Sequence, residues 1–488
     1  MRYPLPIIPA LLLTLAGCAG PSSAGKGAVA SAPAAVVAPD RAQIPPNGLP
    51  PALQVPAQKH FQLENGLKVR LVEYHRLPIV ALDLVLGAGA VHDPTERPGL
   101  ASFTADMVTE GTRTRSATQI SDQLGALGAQ LGAGAGFDSA QVSGTVLASH
   151  LDALLELLSD VAISPSFPQA DFARVQDERH VSLVQQRDVP RALAGKAFAH
   201  AFWGKHPYGH WIMGSEQSVR STTRDELSRF HDRFWRPQNA ELVVVGDVSE
   251  AQLQAMLGKT LALWAPGVPQ PAPAQVARPT GKQTILIEKR RASQTYLMMG
   301  APGPDRAAAD FAAAQVAFQI LGGGSASRLF RTLREEHGYT YGIYSRSEAR
   351  RLGGTSFVLG SVKSEVTGPA LDVLLAQLAS IRDTPVSQAE LDDARTSIAL
   401  ELPAAFVTAS GIASKLAEEV AYALPDDYWD RYAADVMKVT VEDVQRAAQK
   451  YLDLSALVTV MVGDSAQIQP QLRASALGAA EVRAPAAE

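Results

Sequence analysis

The chain has 488 residues, of which 46% are hydrophobic and 19% charged, and its formal net charge is −5. This is the composition of ordinary globular proteins, so it excludes a mainly disordered chain, and the length allows two or more domains. The slightly acidic balance argues against nucleic acid as the main partner, and the single cysteine, Cys18, excludes an intramolecular disulfide and a cysteine-based zinc site.

The first eighteen residues have the features of a secretory signal. Arg2 precedes an apolar stretch at residues 5–15, which is too short to span a bilayer. Leu-Ala-Gly-Cys at residues 15–18 resembles a bacterial lipobox, so we expect cleavage before Cys18 and lipid on its thiol. Because Ala19 is not an aspartate that would retain the protein at the inner membrane, we expect a periplasmic protein anchored to the outer membrane. The alternative is a plain signal peptide with an accidental cysteine.

Two segments rich in alanine and proline divide the rest of the chain. Residues 19–58 have few charges and no aromatic side chain, which predicts a flexible tether. A Pro-rich stretch at residues 265–282 predicts an interdomain linker. The predicted domains are therefore residues 59–264 and 283–470, followed by a tail at 471–488.

The two predicted domains repeat each other. The run TRDELSRFHDRFWRPQNAELVVVGD from Thr223 aligns without gaps to TVEDVQRAAQKYLDLSALVTVMVGD from Thr440, and the segment from Gln169 pairs with that from Gln388 at nearly the same offset. Each long run has a threonine N-cap, an acidic first turn, a helix and then a buried strand. In residues 61–71, apolar and polar side chains alternate on both sides of Asn65-Gly66, which predicts a β-hairpin with a type I′ turn. The pattern predicts an α+β fold of two homologous halves, each an antiparallel sheet with helices packed on it.

Four stretches resemble the insulinase/pitrilysin-like zinc metallopeptidases. They are LPIVALDLVLGAGAVHDPTERPGLASFTADMVTEGT, HPYG at residues 206–209, LGGGSASRLFRTLREEHGYTYGIYS from Leu321, and the two Gly-Asp strand ends. The closest resemblance is to short two-domain chains that work in pairs, such as mitochondrial processing peptidase. It covers residues 59–470 and implies a clam-shell of two halves around a peptide cavity.

The catalytic motif of that family, His-x-x-Glu-His on a helix, is degenerate in this chain. The motif needs two imidazoles on one helical face to hold zinc and a glutamate as general base on the metal-bound water. In GLASFTADM, the resemblance places Ser102 at the first histidine, Ala105 at the glutamate and Asp106 at the second histidine. A third ligand, a glutamate on a later helix, falls at Gln185. We therefore expect no zinc on this chain, and zinc on a partner subunit.

A pair of residues in the second half fits a further part of the family pattern. The resemblance pairs an arginine with a tyrosine seven residues later, and Arg334 and Tyr341 have that spacing. In the resembling enzymes the tyrosine donates to the developing oxyanion and the arginine binds peptide carbonyls at a zinc site. The alternative is an arginine near a helix end, with Gly338 as the helix stop and Tyr341 as an inward strand residue.

A degenerate motif beside a retained Arg/Tyr pair is the pattern of the non-catalytic member of a two-chain peptidase. The expected partners are a homologous zinc-bearing subunit and an unfolded peptide that adds as a strand to a sheet edge, for which residues 130–146 are the candidate. One alternative is a peptide-binding or scaffold lipoprotein without catalysis. Another is a hydrolase with a relocated metal, for which the available histidines are His200, His206 and His210, although no acidic ligand stands at helical spacing with them.

Overall fold

The computed structural model describes residues 53–268, 270, 277 and 280–485. The predicted signal peptide, Cys18 and most of the predicted tether lie outside the described residues, as does part of the predicted linker.

Six strands of the first half form one sheet. They are β1 Lys59–Gln62, β2 Lys68–Glu73, β3 Ile79–Leu86, β4 Gln130–Ala135, β5 Ala140–Leu147 and β6 Ala240–Gly246. The order across the sheet is β1-β2-β6-β3-β5-β4. The pair β2 and β6 is parallel, and the other neighbouring pairs are antiparallel.

The second half forms a matching sheet. Its strands are β7 Gln283–Glu288, β8 Gln294–Gly303, β9 Thr340–Glu348, β10 Gly354–Lys363, β11 Val458–Gly463 and β12 Glu481–Arg483. The order β12-β7-β11-β8-β10-β9 corresponds position by position to the first sheet. The predicted α+β class of two homologous halves is confirmed. Both sheets are mixed rather than wholly antiparallel, because helical connections return β6 and β11 parallel to β2 and β7.

Helices cover both sheets. Those of the first half are α1 Leu100–Met107, α2 Ala117–Leu127, α3 Leu151–Ile163, α4 Gln169–Gln186, α5 Pro190–Trp203, α6 Glu216–Ser221, α7 Arg224–Phe234 and α8 Glu250–Leu257. Those of the second half are α9 Phe311–Gly322, a short π-helix Phe330–Glu336, α10 Thr367–Asp383, α11 Gln388–Ala405, α12 Ala409–Tyr422, α13 Tyr428–Lys438, α14 Val441–Tyr451 and α15 Ser465–Ala474. The two runs that repeat in the sequence become α7–β6 and α14–β11.

Each half lends one helix to the sheet of the other half. The α5 helix of the first half packs on the second sheet, where Phe198 lies against Phe357 with ring centroids 5.3 Å apart. In return, the α12 helix of the second half packs on the first sheet, where Leu416 lies in a cluster with Val243 and Val245. The two halves are thereby joined through two separate apolar layers.

Three boundaries differ from the sequence prediction. The second half continues past residue 470, because α15 ends at Ala474 and β12 takes the place in its sheet that β1 takes in the first. The last residues of the predicted tether are attached, since the Gln58 side chain donates to the carbonyl of Asp426 at 3.0 Å. The turn after β1 is not type I′, because Gly66 has a positive φ of 93° and Asn65 does not.

Among the described residues, no single helix is long and apolar enough to cross a membrane. The pair α11 and α12, bent by 114°, meets that length and composition only when both helices are taken together.

A buried histidine predicts how stability depends on pH. His231 on α7 is buried, its Nε2 lies 3.0 Å from the carbonyl oxygen of Ala162, and burial lowers its pKa to about 4. The unfolded chain therefore binds a proton on His231 more readily than the folded chain does. The contribution of this histidine to the free energy of unfolding is complete above about pH 6.5 and is lost as the pH falls toward about 4. We expect the free energy of unfolding to fall by about 3 kcal/mol over that window.

The check is urea unfolding of the protein and of His231→Gln at several pH values across this window. The variant should have a flatter pH dependence, and His337→Gln, at an exposed position, should keep the slope of the unmodified protein. Equal slopes in all three proteins would contradict the assignment.

Candidate functional site

The degenerate motif lies on α1, whose start is held in place by Asp93. The Asp93 carboxylate accepts from the backbone N–H groups of Gly99 and Ala101, each at 2.7 Å. Gly99 has φ +91°, and a Cβ there would lie 2.7 Å from backbone atoms of Met213 and Gly214. Only glycine suits this position, and the loop that ends at residue 214 therefore docks directly against the first turn of the motif helix.

An arginine on α4 joins the positions of the two missing histidines. The guanidinium of Arg179 forms an ion pair with Asp106 through Nη1, and its Nη2 donates to Ser102 Oγ at 2.8 Å and to the Met213 carbonyl at 2.9 Å. The Ser102 hydroxyl in turn donates to the carbonyl of Ile212 at 2.6 Å. Arg179 is 5% exposed, so this is an interior cation.

Burial sets the electrostatics of this cluster. Desolvation raises the pKa of Asp106, and the adjacent Arg179 opposes that rise. Desolvation likewise lowers the pKa of Arg179, and Asp106 opposes that change. The two charges therefore stabilise each other, but unequally, since the Arg179 side chain is 5% exposed whereas the Asp106 side chain is 41% exposed and keeps part of its contact with water. The Phe103 ring, whose centroid lies 4.9 Å from Arg179 Cζ, closes one side of the guanidinium.

The remaining two motif positions take no part in this cluster. Ala105, at the position of the general base, is fully buried in the apolar core of the first half. Gln185, the predicted third ligand position, is exposed on α4 and does not contact the Arg179 cluster by any hydrogen bond of the described residues. Six residues do not make a whole number of helical turns, so Gln185 and Arg179 point in different directions. Sequence reasoning missed Arg179, although a carboxylate left at a former metal position calls for a replacement cation.

These residues do not fit a zinc ion. A serine, an alanine and one aspartate replace the motif residues, and the aspartate is paired with a guanidinium that would repel Zn²⁺. Among the described residues, no group of three His, Cys, Asp or Glu side chains is arranged to hold a metal.

The three histidines considered for a relocated metal do not form one site. His210 Nε2 lies 3.1 Å from Asp93, and His206 is buried, with its Nδ1 accepting from the backbone N–H of Tyr208 at 3.1 Å. His200 is exposed on α5. The loop has a structural role, because Tyr208 donates to Asp138 at 2.5 Å and accepts from the backbone N–H of Leu352, in the second half, at 3.1 Å.

Arg334 and Tyr341 form a stacked and accessible pair. Arg334 lies on the π-helix, which ends before Gly338 with φ +64°, and its Cζ is 4.6 Å from the centroid of the Tyr341 ring. Tyr341 is on β9, an edge strand of the second sheet, and is 83% exposed. Gly338 is thus the helix stop, but Tyr341 does not point inward. No hydrogen bond, ion pair or ring contact of the described residues joins this pair to the Arg179 cluster.

The glycine-rich segment at residues 130–146 forms an open sheet edge. Its first part is β4, the outer strand of the first sheet. A Cβ at Gly132 or Gly134 would meet no atom within 4 Å, so internal packing does not require glycine at either position. Beside the edge lies a cavity of about 810 Å³, whose walls include Asp83 on β3 and Ser410 on α12. An extended backbone can approach such an edge closely.

Known protein families match both halves of the sequence. The model described as Insulinase (Peptidase family M16) matches residues 68–216, and the model described as Peptidase M16 inactive domain matches residues 221–398. A protein of Mycobacterium tuberculosis named an uncharacterized zinc protease is 27% identical over 426 residues, which are 86% of this chain and 96% of that protein. A protein of the same description from Mycobacterium leprae is 26% identical over 338 residues, 69% of this chain and 76% of its own length.

Solved structures share the fold. The crystal structure of a peptidase M16 inactive domain from Pseudomonas fluorescens is 30% identical, with a TM-score of 0.78 over 83% of this chain and 98% of that chain. A protease from Helicobacter pylori superposes with a TM-score of 0.79 over 83% of this chain and 99% of its own, at 19% identity, and so supports the fold alone.

The Arg179 cluster predicts a large and partly reversible loss of stability. Arg179→Met removes the cation beside the partly exposed Asp106 and the hydrogen bonds to Ser102 and the Met213 carbonyl, and it should lower the free energy of unfolding by about 1–3 kcal/mol. The double variant with Asp106→Leu should recover most of the loss, because no unpaired charge then remains. Denaturant unfolding measures both.

The matched control is Arg174→Met, on the same helix, whose side chain is 45% exposed. It should change stability by less than about 1 kcal/mol. An Arg179→Met effect as small as that of the control would contradict the internal role of Arg179.

Proposed function

Because the chain belongs to the insulinase family of M16 peptidases, we propose that it is the non-catalytic, substrate-binding subunit of a heteromeric zinc metallopeptidase. It supplies Arg334 and Tyr341 to a zinc site carried by a homologous partner chain, and neither chain cleaves peptides alone. Its own motif is that of a degenerate peptidase, with Arg179 between Ser102 and Asp106.

The observation that carries the proposal is the accessibility of the Arg/Tyr pair. A tyrosine that served only to pack its own domain would bury its ring, whereas Tyr341 is 83% exposed. Its stacking on Arg334 limits the orientations of the ring on the edge strand, which suits a group that must meet a site on another molecule. No hydrogen bond, ion pair or ring contact of the described residues joins the pair to the degenerate motif of its own chain, which supports a site on a second chain.

The chemistry of the two side chains fits peptide hydrolysis. The zinc of the partner would polarise the scissile carbonyl and activate water. The Tyr341 hydroxyl would donate a hydrogen bond to the oxygen that becomes negative in the transition state. The Arg334 guanidinium, with its planar set of donors, would bind carbonyl oxygens of the peptide next to the scissile bond.

The β4 edge is the proposed place for substrate. An unfolded peptide would pair with β4 as an additional strand, so that main-chain hydrogen bonds give affinity and neighbouring pockets select side chains. The same feature favours a second candidate, a stand-alone peptide-binding or scaffold lipoprotein without catalysis, because an open edge and a cavity suffice for that role. Retention of Arg334 with Tyr341 favours the subunit role over this one.

We further propose that the protein acts in the periplasm, held on the outer membrane by lipid on Cys18. The support is the lipobox-like sequence before this residue, and two or more acyl chains on one cysteine give lasting anchorage.

The subunit role predicts how the activity of the assembled enzyme depends on both chains. The mature chain alone should cleave no peptide, and a mixture with a homologue that carries His-x-x-Glu-His should cleave, with zinc on the homologue. Arg334→Ala or Tyr341→Phe should lower the rate of the mixture by about 100-fold or more, as for a lost oxyanion donor. The measurements are peptide hydrolysis and zinc content of the separated chains.

The controls for this experiment are Arg331→Ala on the same π-helix and Tyr344→Phe on the same strand, both at exposed positions. Neither should change the rate. Cleavage by the chain alone, with zinc bound to it, would contradict the proposal. If no mixture cleaves and the chain still binds peptides, the scaffold role replaces the subunit role.

The proposed substrate site predicts that a side chain on the β4 edge weakens peptide binding. Gly134→Val should leave stability unchanged or raise it by up to about 1 kcal/mol, because its side chain has space and suits a strand. It should weaken binding of a fluorescent unfolded peptide about tenfold, the equivalent of one or two lost hydrogen bonds. Fluorescence anisotropy measures the affinity. The control Gly125→Ala, on α2, also has free space and should bind as the unmodified chain does; equal weakening in both would rule out the edge as the site.

A further inference from the structure

A second cavity lies between α5 of the first half and the second sheet, and it has no part in the proposed peptidase chemistry. Its volume is about 470 Å³, which falls in the range of small-molecule sites. From its lining we propose that it binds an apolar carboxylic acid of the free fatty acid class. The proposal does not depend on the function proposed above.

The walls of the cavity are mainly apolar and come from both halves. Phe198 and Gly195 on α5 form one side, and Met298 on β8 and Phe357 on β10 form the other. Gly195 keeps part of the cavity open, since a Cβ at this position would lie 3.2 Å from the ring of Trp211, which also lines the cavity. An apolar chain placed here would remove its surface and that of the walls from water.

Two unpaired arginines stand at the cavity. Arg350 also lines it, but Arg350 is paired with Glu348 at 3.1 Å. By contrast, the described residues offer Arg191 and Arg346 no acidic partner within 4.0 Å, and both side chains are exposed. Both act electrostatically on the hydroxyl of Tyr296, whose pKa is raised by burial and held back by these two cations. Both arginines line the cavity, and their guanidinium groups can offer charge-assisted hydrogen bonds to a carboxylate there.

Buried polar atoms along the wall lack partners as well. The Nε1 of Trp211 donates to no acceptor, and the Oε1 of Gln186 accepts from no donor, among the described residues. Buried groups of this kind destabilise a protein unless a ligand or water pairs with them. A carboxylate oxygen would accept from Trp211, and a water beside the head group would donate to Gln186.

A fatty acid fits better than a peptide. Each residue of a bound peptide brings an amide that needs its own partners, and the unpaired wall atoms are too few to serve several amides. The corresponding cavity of the first half, between α12 and the first sheet, is lined by Asp83, Ser143, Thr145 and Ser410. Equivalent places in the two halves thus differ in chemistry, with apolar walls and spare cations only in the α5 cavity.

The test is titration of the mature chain with dodecanoate, below its micelle concentration, by isothermal calorimetry and by intrinsic tryptophan fluorescence. We expect one saturable site with micromolar affinity and a change in the fluorescence, since Trp203 and Trp211 both line the cavity. Acetate, which lacks the chain, and dodecyltrimethylammonium, which reverses the charge, should not bind. The double variant Arg191→Gln/Arg346→Gln should bind dodecanoate about tenfold more weakly, the effect of losing a charge-assisted hydrogen bond.

The matched control is Arg473→Gln, at an exposed position on α15, which should bind as the unmodified chain does. Ala199→Trp, which fills the cavity, should abolish binding; if that variant does not fold, the double arginine variant decides. Three results would overturn the proposal: no binding of dodecanoate, equal affinity in the double variant, or saturable binding of an apolar hexapeptide in its place.

Discussion

The architecture depends on the exchange of one helix between two similar halves. In each sheet, the face opposite the helices of its own half is apolar, with Val243 and Val245 on the first sheet and Val460 and Val462 on the second. Neither face can remain in water at low free-energy cost, and each is covered by a helix of the other half. Polar contacts at the same boundary fix the orientation of the exchanged helix on the sheet. One example is Arg70 on β2, which donates to the buried Glu419 on α12 at 2.6 Å. The halves are therefore fixed to each other, and so are the places of α1, β4 and β9.

Within this frame, a guanidinium stands where the family pattern would place a metal ion. A divalent cation held by two residues of α1 and one of α4 would tie these helices together, and Arg179 ties them through Ser102, Asp106 and the Met213 carbonyl. The replacement keeps a positive charge beside Asp106 but offers no open coordination position and no bound water. The fold is thus retained, whereas the residues at the motif positions no longer match the zinc-binding pattern. Tyr341 is different, because its ring is 83% exposed and contributes little to the packing of its own domain.

Much of this could be predicted from the sequence, and the failures have physical causes. The duplication was visible because Thr223 and Thr440 start runs with the same cap, helix and strand, and local signals of this kind survive in any context. The Asn65-Gly66 step predicted a turn, but its type depends on the backbone angle of Asn65, which residue identity alone does not set. The β12 strand is three residues long and exposed, so it has no periodicity to detect, and it forms only because β7 offers a free edge. Arg179 could not be placed beside Asp106 from spacing, since the contact is long-range, although the unpaired carboxylate was a signal. The α5 cavity had no sequence signature because its walls come from both halves.

The central claim is that Tyr341 meets a zinc site on another chain. The most direct measurement is photo-crosslinking from a benzoylphenylalanine placed at position 341 of the full-length protein in its native cells, with mass spectrometry of the adducts. The account predicts adducts with a His-x-x-Glu-His homologue, next to its zinc-binding helix, or with peptide held there. Adducts confined to this chain, or none where a probe at an unrelated exposed position also gives none, would contradict it.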